Sequence, residues 1–356
     1  MKKIIFVIGS LVRGGAEKVI LELANEYSLL GWQVEIIMLL QNKIEFDVSS
    51  NISVIDYSGR RKSRVARIGF WLANLRKHFS RNKGAILVSF IARINILVLL
   101  SAKKRNHRII VSERNDPRYD GRGFIAKLLI NILYPIADLV VFQTNDVSKF
   151  FSKRIKKKSI VIQNPIKVNE IASLEDYDKN LLIMAGRLAK QKNQIMMINA
   201  MKLLVNNHPK CRLEIYGDGD LELYLKNTIA KLQLDKNVFV FPNSKNIQEK
   251  IRKSRVYIST SLYEGMSNSL MEASLSGVPC VTTPCLGTDF IHDKINGHFV
   301  GHNDYVKLSE VLGDLISNET RYNEMRLNAI NYATSMKPVD SFYLWKKSIS
   351  QDGGML

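Results

Sequence analysis

Two carboxylates, Glu264 and Glu272, stand eight residues apart and carry the clearest chemical signal in this sequence. A short apolar run before Glu264 predicts a buried strand, and a helix is predicted to begin near Ser269. The first amides of a helix have no intrahelical partner and lie at the positive end of its dipole, so they attract anions. A phosphate at these amides, with a carboxylate on either side to accept hydroxyl hydrogen bonds, would form a nucleotide-sugar site.

The same residues also have a purely structural interpretation. Ser269 followed by Glu272 has the spacing of a capping box, in which both side chains serve only the start of their own helix. Glu264 could be a solvated loop residue, although Gly265 beside it indicates a backbone that another group approaches closely. Both interpretations stay open at this point.

A basic turn earlier in the same half of the chain could bind a diphosphate. A strand is predicted over residues 181–185, and Gly186, Arg187 and Lys192 occupy the turn between this strand and the next helix. A guanidinium offers two parallel hydrogen bonds to phosphate oxygens, whereas an ammonium group acts as a point charge. A basic turn at a protein surface is the common alternative.

Two further strand ends lie in the first half of the chain. Gly14 and Gly15 follow a predicted strand at residues 3–8 and precede an amphipathic helix, an order typical of loops that approach phosphates. This loop matches neither G-x-G-x-x-G nor a P-loop, so a simple tight turn is equally compatible. Glu113 and Arg114 end another predicted strand, at the place where ligands collect in open α/β sheets.

The stretch from Glu264 to Ala273 resembles the E-x7-E signature of retaining glycosyltransferases of family 4. The segment from Gly186 to Lys192 is similar to that family's G-R-x-x-x-x-K pattern. The resemblance implies that Glu264 faces the transferred sugar, that Glu272 holds the ribose, and that Arg187 and Lys192 stabilise the leaving diphosphate. It also implies a retaining reaction by front-face attack, without a covalent enzyme intermediate and without a metal.

The resemblance predicts the fold and the remaining site residues. The fold class is α/β, of the GT-B type: two Rossmann-like domains facing a central cleft, with a C-terminal helix that crosses back to the first domain. We expect the domains at residues 1–164 and 165–335 and the crossing tail at 336–356. The predicted nucleotide-sugar-binding residues are Gly14, Gly15, Gly186, Gly217, Gly265, Met266, Ser267, Asn268, Ser269 and Glu272. The resemblance also makes Glu113 and Arg114 candidates for contact with the acceptor or the donor sugar. Arg114 stands where the family often has a histidine near the donor sugar.

Metal-binding patterns are weak in this sequence. Asp218 and Asp220 form a D-x-D in a glycine turn, where they are expected to complement the start of the following helix. His292, His298 and His302 are interrupted by glycines and have no adjacent thiolate, so loop histidines are favoured. We therefore expect no metal, and the family resemblance implies a UDP-sugar as the donor substrate.

The 356-residue chain has a net charge of +19 that is concentrated in its first half. Residues 1–165 hold 29 Lys and Arg against 12 Asp and Glu, a net +17, whereas the rest hold 23 against 21. Basic residues alternate with aromatic ones between residues 60 and 83, and a second basic cluster spans 149–158. This pattern suits a helix on an anionic bilayer, with a solvated basic helix as the alternative. The predicted membrane-facing residues are Arg60, Arg61, Lys62, Arg64, Arg67 and Trp71.

These features predict an enzyme at the inner face of the cell membrane that uses a lipid-linked saccharide acceptor. The three cysteines form no C-x-x-C pair and no signal peptide is apparent, which indicates a reducing cytosol. The longest apolar runs, 94–102 and 128–137, are too short or too interrupted to cross a membrane.

An epimerase or hydrolase of the same fold is one alternative. A basic nucleic-acid-binding protein is another, but no nucleic-acid motif is recognisable, and we expect no nucleic-acid partner.

Overall fold

The computed structural model describes residues 2–12, 14–59, 63–164, 166, 168, 170–335 and 341–350, without the side chains at 64 and 65. The chain divides into two compact units. The first contains Met1–Pro165 and Val339–Leu356, and the second contains Ile166–Pro338. Of the membrane-facing residues predicted above, Arg60, Arg61 and Lys62 lie outside the described residues, and the side chain of Arg64 is not described.

The first unit is a parallel sheet with helices between its strands. Its elements are β1 (Lys3–Ile8), α1 (Gly15–Leu29), β2 (Gln33–Met38), β3 (Ile52–Asp56), α2 (Arg64–Arg81), β4 (Ile86–Phe90), α3 (Ala92–Ser101), β5 (Arg108–Ser112), α4 (Phe124–Leu133), β6 (Leu139–Phe142), α5 (Asn145–Ser148), α6 (Lys153–Lys156) and β7 (Ser159–Val161). The strand order is β3-β2-β1-β4-β5-β6-β7. The parallel strands β1 and β4 are neighbours. Strands β2 and β3 are added on one side of β1 and strands β4 to β7 on the other, so the strand order reverses between β1 and β4.

The second unit repeats this architecture. Its elements are β8 (Asp178–Ala185), α7 (Gln194–Asn207), β9 (Arg212–Tyr216), α8 (Glu222–Lys231), β10 (Val238–Phe241), α9 (Ile247–Arg252), β11 (Ser254–Ser259), α10 (Asn268–Leu275), β12 (Cys280–Thr282), β13 (Gly297–Phe299), α11 (Tyr305–Ser317) and α12 (Glu319–Ser335). The strand order is β10-β9-β8-β11-β12-β13, all parallel. Here the order reverses between the neighbouring strands β8 and β11.

Apolar composition explains why these strands are central. Val256, Tyr257 and Ile258 of β11 are at most 1% exposed, and Ile4 to Ile8 of β1 have no exposed surface. A parallel sheet covered on both faces requires such continuous apolar strands, because neither face meets water. The described residues contain no helix that is long and apolar enough to cross a membrane.

The last described helix, α13 (Ser341–Ser350), packs into the core of the first unit. Trp345 has no exposed surface, and its ring stacks on Phe90 at the end of β4 with centroids 5.7 Å apart. The Arg108 guanidinium donates to the Ser348 carbonyl at 2.7 Å. Core packing and a charge-assisted hydrogen bond therefore hold α13 to the first unit.

The aromatic residues of α2 face the interior of the protein. Trp71 is 8% exposed, its indole Nε1 donates to the Tyr57 carbonyl at 2.9 Å, and Phe79 is 1% exposed. The Arg67 guanidinium lies over the Trp71 ring at 5.7 Å. The prediction that Trp71 faces a membrane is therefore wrong, because Trp71, Leu75 and Phe79 lie on the buried side of α2.

Candidate active site

The loops after β8 and β11 meet where the strand order of the second unit reverses. The Leu262 amide donates to the Gln191 carbonyl at 2.8 Å, and Gln191 Nε2 donates to the Tyr263 carbonyl at the same distance. Thr260 Oγ1 donates to the Asn193 carbonyl at 2.9 Å. Ligands of open parallel sheets bind at such reversal points, outside the carboxyl ends of the strands. The two predicted motifs therefore form one site because their strands are neighbours.

Lys192 and Glu264 form an ion pair at the centre of this site. Lys192 Nζ donates to Glu264 Oε1 at 2.6 Å, and the two side chains are only 16% and 10% exposed. Ser261 Oγ donates to the same carboxylate oxygen at 2.8 Å. A charge-assisted pair with low exposure has a fixed geometry, and each partner offsets the desolvation cost of the other.

Arg187 differs from Lys192 in having no partner among the described residues. Its side chain is exposed, while its carbonyl accepts a hydrogen bond from Gln194 Nε2 at 2.9 Å. The backbone of Arg187 is thus held in place by Gln194, while its guanidinium remains available to a ligand. Arg187 can provide the bidentate phosphate contact that a paired lysine cannot.

A close approach between two loops explains the glycines at Gly186 and Gly217. The Gly186 amide donates to the Tyr216 carbonyl at 2.9 Å, and the Leu188 amide donates to the Asp218 carbonyl at 3.0 Å. A Cβ atom at Gly217 would lie 2.0 Å from the Gly186 carbonyl oxygen. Any side chain at Gly217 would therefore displace the turn that carries Arg187.

The start of α10 combines helix amides with a buried hydroxyl. Ser267 is the N-cap residue but makes no side-chain cap, and its Oγ has no hydrogen-bond partner among the described residues. Ser269 Oγ instead donates to the Ala185 carbonyl at 2.8 Å, which ties α10 to the end of β8. The capping-box interpretation is therefore wrong for Ser269. The N-terminus of α10 offers amides, and a hydroxyl that is 3% exposed, to an anion.

The other predicted residues around α10 are mostly buried. Glu272 is 9% exposed and lies close enough to Tyr257 to contribute to the raised pKa of that phenol, whose main cause is burial. Met266 is 7% exposed and packs in the core with Leu270. Gly265 is buried and Asn268 is half-buried. Met266 therefore helps to fix the loop between β11 and α10.

Asp218 and Asp220 do not cap α8. The N-cap residue is Leu221, without a side-chain cap, and Asp218 Oδ2 accepts from Asn243 Nδ2 at 2.5 Å. The expected capping role is thus wrong, and Asp218 connects two loops instead. Within the described residues no three His, Cys, Asp or Glu side chains converge as metal ligands. His298, one of the three histidines considered above, instead faces Asp293 at 3.3 Å.

In the first unit, Gly14 and Gly15 begin α1. Gly14 is the N-cap residue with an extended backbone, and its carbonyl accepts from the Lys18 amide at 3.0 Å. Gly15 is exposed, and no side chain caps this helix. The N-terminal amides of α1 therefore meet no side chain from the cap position, as an approaching phosphate requires.

Glu113 is completely engaged in a buried network of the first unit. One carboxylate oxygen accepts from the Tyr134 hydroxyl, and the other accepts from Arg122 at 2.6 Å. Burial raises the pKa of Glu113 even though Arg122 opposes this shift. The carboxylate holds the loop after β5 and lies 1% exposed, so a role in sugar binding stays a prediction.

Arg114 is a buried cation that lies against aromatic rings. Its guanidinium carbon is 4.0 Å from the Phe90 ring centroid and 5.6 Å from that of Trp345, and Nη1 donates to Asn164 Oδ1 at 2.5 Å. Nε and Nη2 have no partner among the described residues. Burial lowers the pKa of Arg114 to about 9. Its visible contacts are with α13 and the strand ends of its own unit, so its role with ligand remains a prediction.

Sequence reasoning missed Gln191 and Ser261, which complete the surroundings of Glu264. Ser261 lies three residues before Glu264, a spacing that could have suggested a contact within one loop. Gln191 Nε2 lies 3.4 Å from Glu264 Oε2, although 73 residues separate the two in the chain. No pattern in the sequence indicates that contact, because it depends on the pairing of β8 with β11.

Comparisons with known proteins identify the second unit. Residues 167–336 match the model of the family described as Glycosyl transferases group 1. One relative is the Campylobacter jejuni α-1,4-N-acetyl-D-galactosaminyltransferase named for GalNAc-α-(1→4)-GalNAc-α-(1→3)-diNAcBac-PP-undecaprenol, 26% identical over 92% of this chain and 93% of the relative. A second is the N-acetylgalactosamine-N,N'-diacetylbacillosaminyl-diphospho-undecaprenol 4-α-N-acetylgalactosaminyltransferase of the same organism, 28% identical over 80% of this chain and 81% of the relative.

A solved structure extends the likeness to the whole fold. A Staphylococcus aureus TarM variant in complex with fondaparinux, α-GlcNAc-glycerol and UDP superimposes with a TM-score of 0.79. The superposition covers 99% of this chain and 100% of that one, with 13% sequence identity. The fold is therefore GT-B, as predicted. The second unit matches the glycosyl transferases group 1 model, and the chain is a glycosyltransferase.

Proposed function

We propose that this glycosyltransferase moves a hexose or N-acetylhexosamine from a UDP-sugar to a polyprenyl-pyrophosphate-linked saccharide, with retention at the anomeric carbon, in the synthesis of a surface polysaccharide. One observation carries the proposal. The free cation Arg187, the Lys192–Glu264 ion pair and the start of α10 gather where the strand order of the second unit reverses. This set has the charges and donors that a nucleoside diphosphate-sugar requires.

The cations would act on the leaving group. As the bond between sugar and diphosphate breaks, negative charge grows on the diphosphate, and Arg187 and Lys192 stabilise that charge more than they stabilise the bound donor. Interactions that strengthen in the transition state accelerate the chemical step. The amides of α10 and the Ser267 hydroxyl would bind phosphate oxygens, which matches the unpartnered Oγ of this residue.

The two carboxylates would position the donor. Glu264 is held by Lys192 and Ser261, so it can accept hydrogen bonds from the transferred sugar at a fixed place. Glu272, eight residues further on, would accept from the ribose hydroxyls. In the first unit, the open start of α1 at Gly14 and Gly15 would contact phosphate. Glu113 and Arg114 are retained as candidates for contact with a sugar.

The donor and acceptor classes are supported by different relatives. The similar TarM structure is a complex with UDP, which favours a uridine nucleotide as the leaving group. Both Campylobacter jejuni relatives are named for saccharides on undecaprenyl diphosphate, which favours a lipid-linked acceptor. An acceptor of this kind resides in a membrane, so we propose that the enzyme works at an anionic membrane surface, on its cytoplasmic side. No metal is proposed as part of the reaction.

The experiment is nucleotide release from a panel of UDP- and GDP-sugars, with and without a short-chain polyprenyl-pyrophosphate saccharide. Each reaction is run with EDTA and with added Mg²⁺. We expect acceptor-dependent UDP release from one UDP-sugar at equal rates in both conditions. Glu264→Ala and Lys192→Ala should abolish it, whereas Lys190→Ala should not, because Lys190 lies on the same turn with an exposed side chain outside the ion pair.

Three outcomes would contradict parts of this proposal. Sugar released without any acceptor would identify a hydrolase. Release that EDTA stops would show that a metal is required. A product with an inverted anomeric configuration by NMR would exclude retention. If no donor reacts and neither UDP nor GDP raises the melting temperature, the arrangement around Glu264 is structural.

A further inference from the structure

Helix α4 of the first unit exposes an apolar face. Phe124 is 81% exposed, Ile125 73%, Leu128 49% and Ile132 56%. At about 100° per residue, these four positions fall within an arc of about 100°, just over one quarter of the helix circumference. We call them the α4 face. Contiguous exposed apolar surface of this kind marks an interaction site more often than isolated exposed residues do.

Packing within the unit does not explain the α4 face. Ile130 and Leu133 point inward and are 3% and 8% exposed, so the helix already has a buried side. A helix on the surface of a globular protein ordinarily carries polar residues on its outer side. Lys127 and Asn131 are the polar residues of α4, and both lie outside the arc that the α4 face occupies.

A basic segment is fixed to the C-terminal end of α4. Lys158 Nζ donates to the carbonyls of Pro135 and Ala137, at 2.7 and 3.1 Å, in the turn that follows the helix. Lys153, Arg154, Lys156 and Lys157 precede it along the chain and are exposed. The pKa of Lys158 is lowered by burial and by the nearby Lys104 and Arg154, which indicates a dense positive charge at this end.

The N-terminal end of α4 combines a cation with aromatic rings. The Arg118 guanidinium lies 5.3 Å from the ring of Tyr119 and 5.2 Å from that of Phe150, and both rings are about half exposed. The loop containing Arg118 leads directly into α4. Arg118 is also paired with Asp116 at 2.7 Å. Partly exposed aromatic rings therefore lie at the N-terminal end of the apolar face, and the exposed cations of residues 153–157 lie at its C-terminal end.

The charge balance around the α4 face is strongly positive. Residues 118–158 hold nine Lys and Arg against three Asp. Each acid already has a basic partner: Asp120 pairs with Arg122, Asp138 with Lys104 and Asp146 with Lys149. The four exposed cations of residues 153–157 have no acidic partner among the described residues. Their charge is available to an anionic surface.

We propose that the α4 face and the exposed cations at its C-terminal end dock the enzyme on an anionic lipid bilayer, with the apolar side chains entering the headgroup region. A short helix that lies in the interface plane, with basic residues beside its apolar side chains, binds in this way. A second copy docked by a two-fold axis would bring the same cations close together, which repulsion disfavours.

The test is co-sedimentation of the full-length chain with vesicles, without donor or acceptor, so that it is independent of the proposed reaction. The chain is mixed with vesicles of phosphatidylcholine alone or of phosphatidylcholine with phosphatidylglycerol. We expect at least about tenfold stronger partitioning to the anionic vesicles, falling with added salt. Phe124→Ser/Ile125→Ser should weaken it about tenfold, and Lys153→Gln/Arg154→Gln/Lys156→Gln should remove the preference for anionic lipid.

The matched control is Leu223→Ser/Tyr224→Ser, which changes an adjacent exposed apolar pair on α8 of the second unit, 72% and 55% exposed. It should leave partitioning unchanged. Ile125→Trp keeps the face apolar, and the emission maximum of this tryptophan should shift to the blue with anionic vesicles. This variant tests the proposal even if the serine variant folds poorly. Equal binding by the serine pair and the wild type, or no blue shift, would overturn the proposal. So would a dimer in lipid-free solution that Phe124→Ser/Ile125→Ser converts to a monomer.

Discussion

Lys192 and Glu264 are 72 residues apart in the chain, yet their charged groups lie 2.6 Å apart beyond the carboxyl ends of the neighbouring strands β8 and β11. The lysine follows one strand and the glutamate follows the strand beside it. A diphosphate that recruits Lys192 must compete with this carboxylate, and a sugar that bonds to Glu264 must share it with the ammonium group. In the proposed reaction the pair would therefore couple the two ends of the bond that breaks.

Substitution of either partner of this pair should affect catalysis strongly. Lys192→Met and Glu264→Gln should each lower kcat/KM for UDP release by about a hundredfold or more, because a preorganised charge is lost at the site of charge development. The kcat/KM of the double variant should be only slightly lower than that of the less active single variant, since the two groups act together. Initial rates over a range of donor concentrations test this. Additive losses would show that the residues act separately.

A methyl group at Gly217 should disturb the turn that carries Arg187. The Cβ of alanine would lie 2.0 Å from the Gly186 carbonyl oxygen, so one of the two backbones must move. We expect Gly217→Ala to lose roughly 2–4 kcal/mol of unfolding free energy in urea titrations, together with the thermal stabilisation by UDP. The matched control is Gly69→Ala in α2, where no described atom outside the helix's own backbone lies within 4 Å of the new methyl. It should gain about 0.5–1 kcal/mol.

Two serines at α10 should respond in opposite ways. Ser267→Ala removes a buried hydroxyl that has no partner among the described residues, so stability should rise by up to about 1 kcal/mol. Donor affinity should fall about tenfold if this hydroxyl binds phosphate. Ser269→Ala removes the bond to the Ala185 carbonyl, so it should lose about 1 kcal/mol of stability. Urea titration and UDP titration measure the two quantities, and unchanged UDP affinity in Ser267→Ala would contradict the phosphate role.

His107 should make the stability of the first unit depend on pH. Burial lowers the pKa of this histidine below its usual 6.5, so the folded chain takes up a proton less readily than the unfolded chain does. Its contribution is therefore constant above pH 6.5 and is lost as the pH falls from 6.5 through the folded-state pKa. His107→Gln should show a smaller decrease in unfolding free energy between these limits than the wild type. Urea titrations at several pH values test this, and equal slopes would contradict it.

Arg114 offers a test of a buried cation. Arg114→Met should preserve contact with the Phe90 ring and remove a charge whose Nε and Nη2 have no partner among the described residues. Its unfolding free energy should equal or exceed that of the wild type. Arg114→Ala should lose about 2–3 kcal/mol, because a cavity forms beside Phe90 and Trp345. If the methionine variant loses as much as the alanine variant, the charge itself stabilises the unit.

Local sequence predicted much of the site because its parts are local. A strand followed by a glycine turn and a helix is recognisable in Gly186 and Arg187, and the spacing of Glu264 and Glu272 is contained in one loop and helix. The resemblance built on these motifs led to the GT-B fold, which the comparisons confirm. The contacts among Lys192, Gln191 and Glu264 were not predictable, because they depend on which strands are neighbours.

The orientation of apolar faces was decided by tertiary structure. The alternation of basic and aromatic residues in α2 suits a membrane surface as well as a protein core, and packing places Trp71 in the core. The run at residues 128–137 was notable in the sequence only as too short to cross a membrane, yet helix α4 presents Leu128 and Ile132 to the outside. The sequence alone determined the element types, the charge of the first half and the identity of the candidate catalytic groups, since these follow from composition and short-range spacing. Only the folded chain decided which charges pair and which apolar side chains remain exposed, because both depend on contacts between segments far apart in sequence.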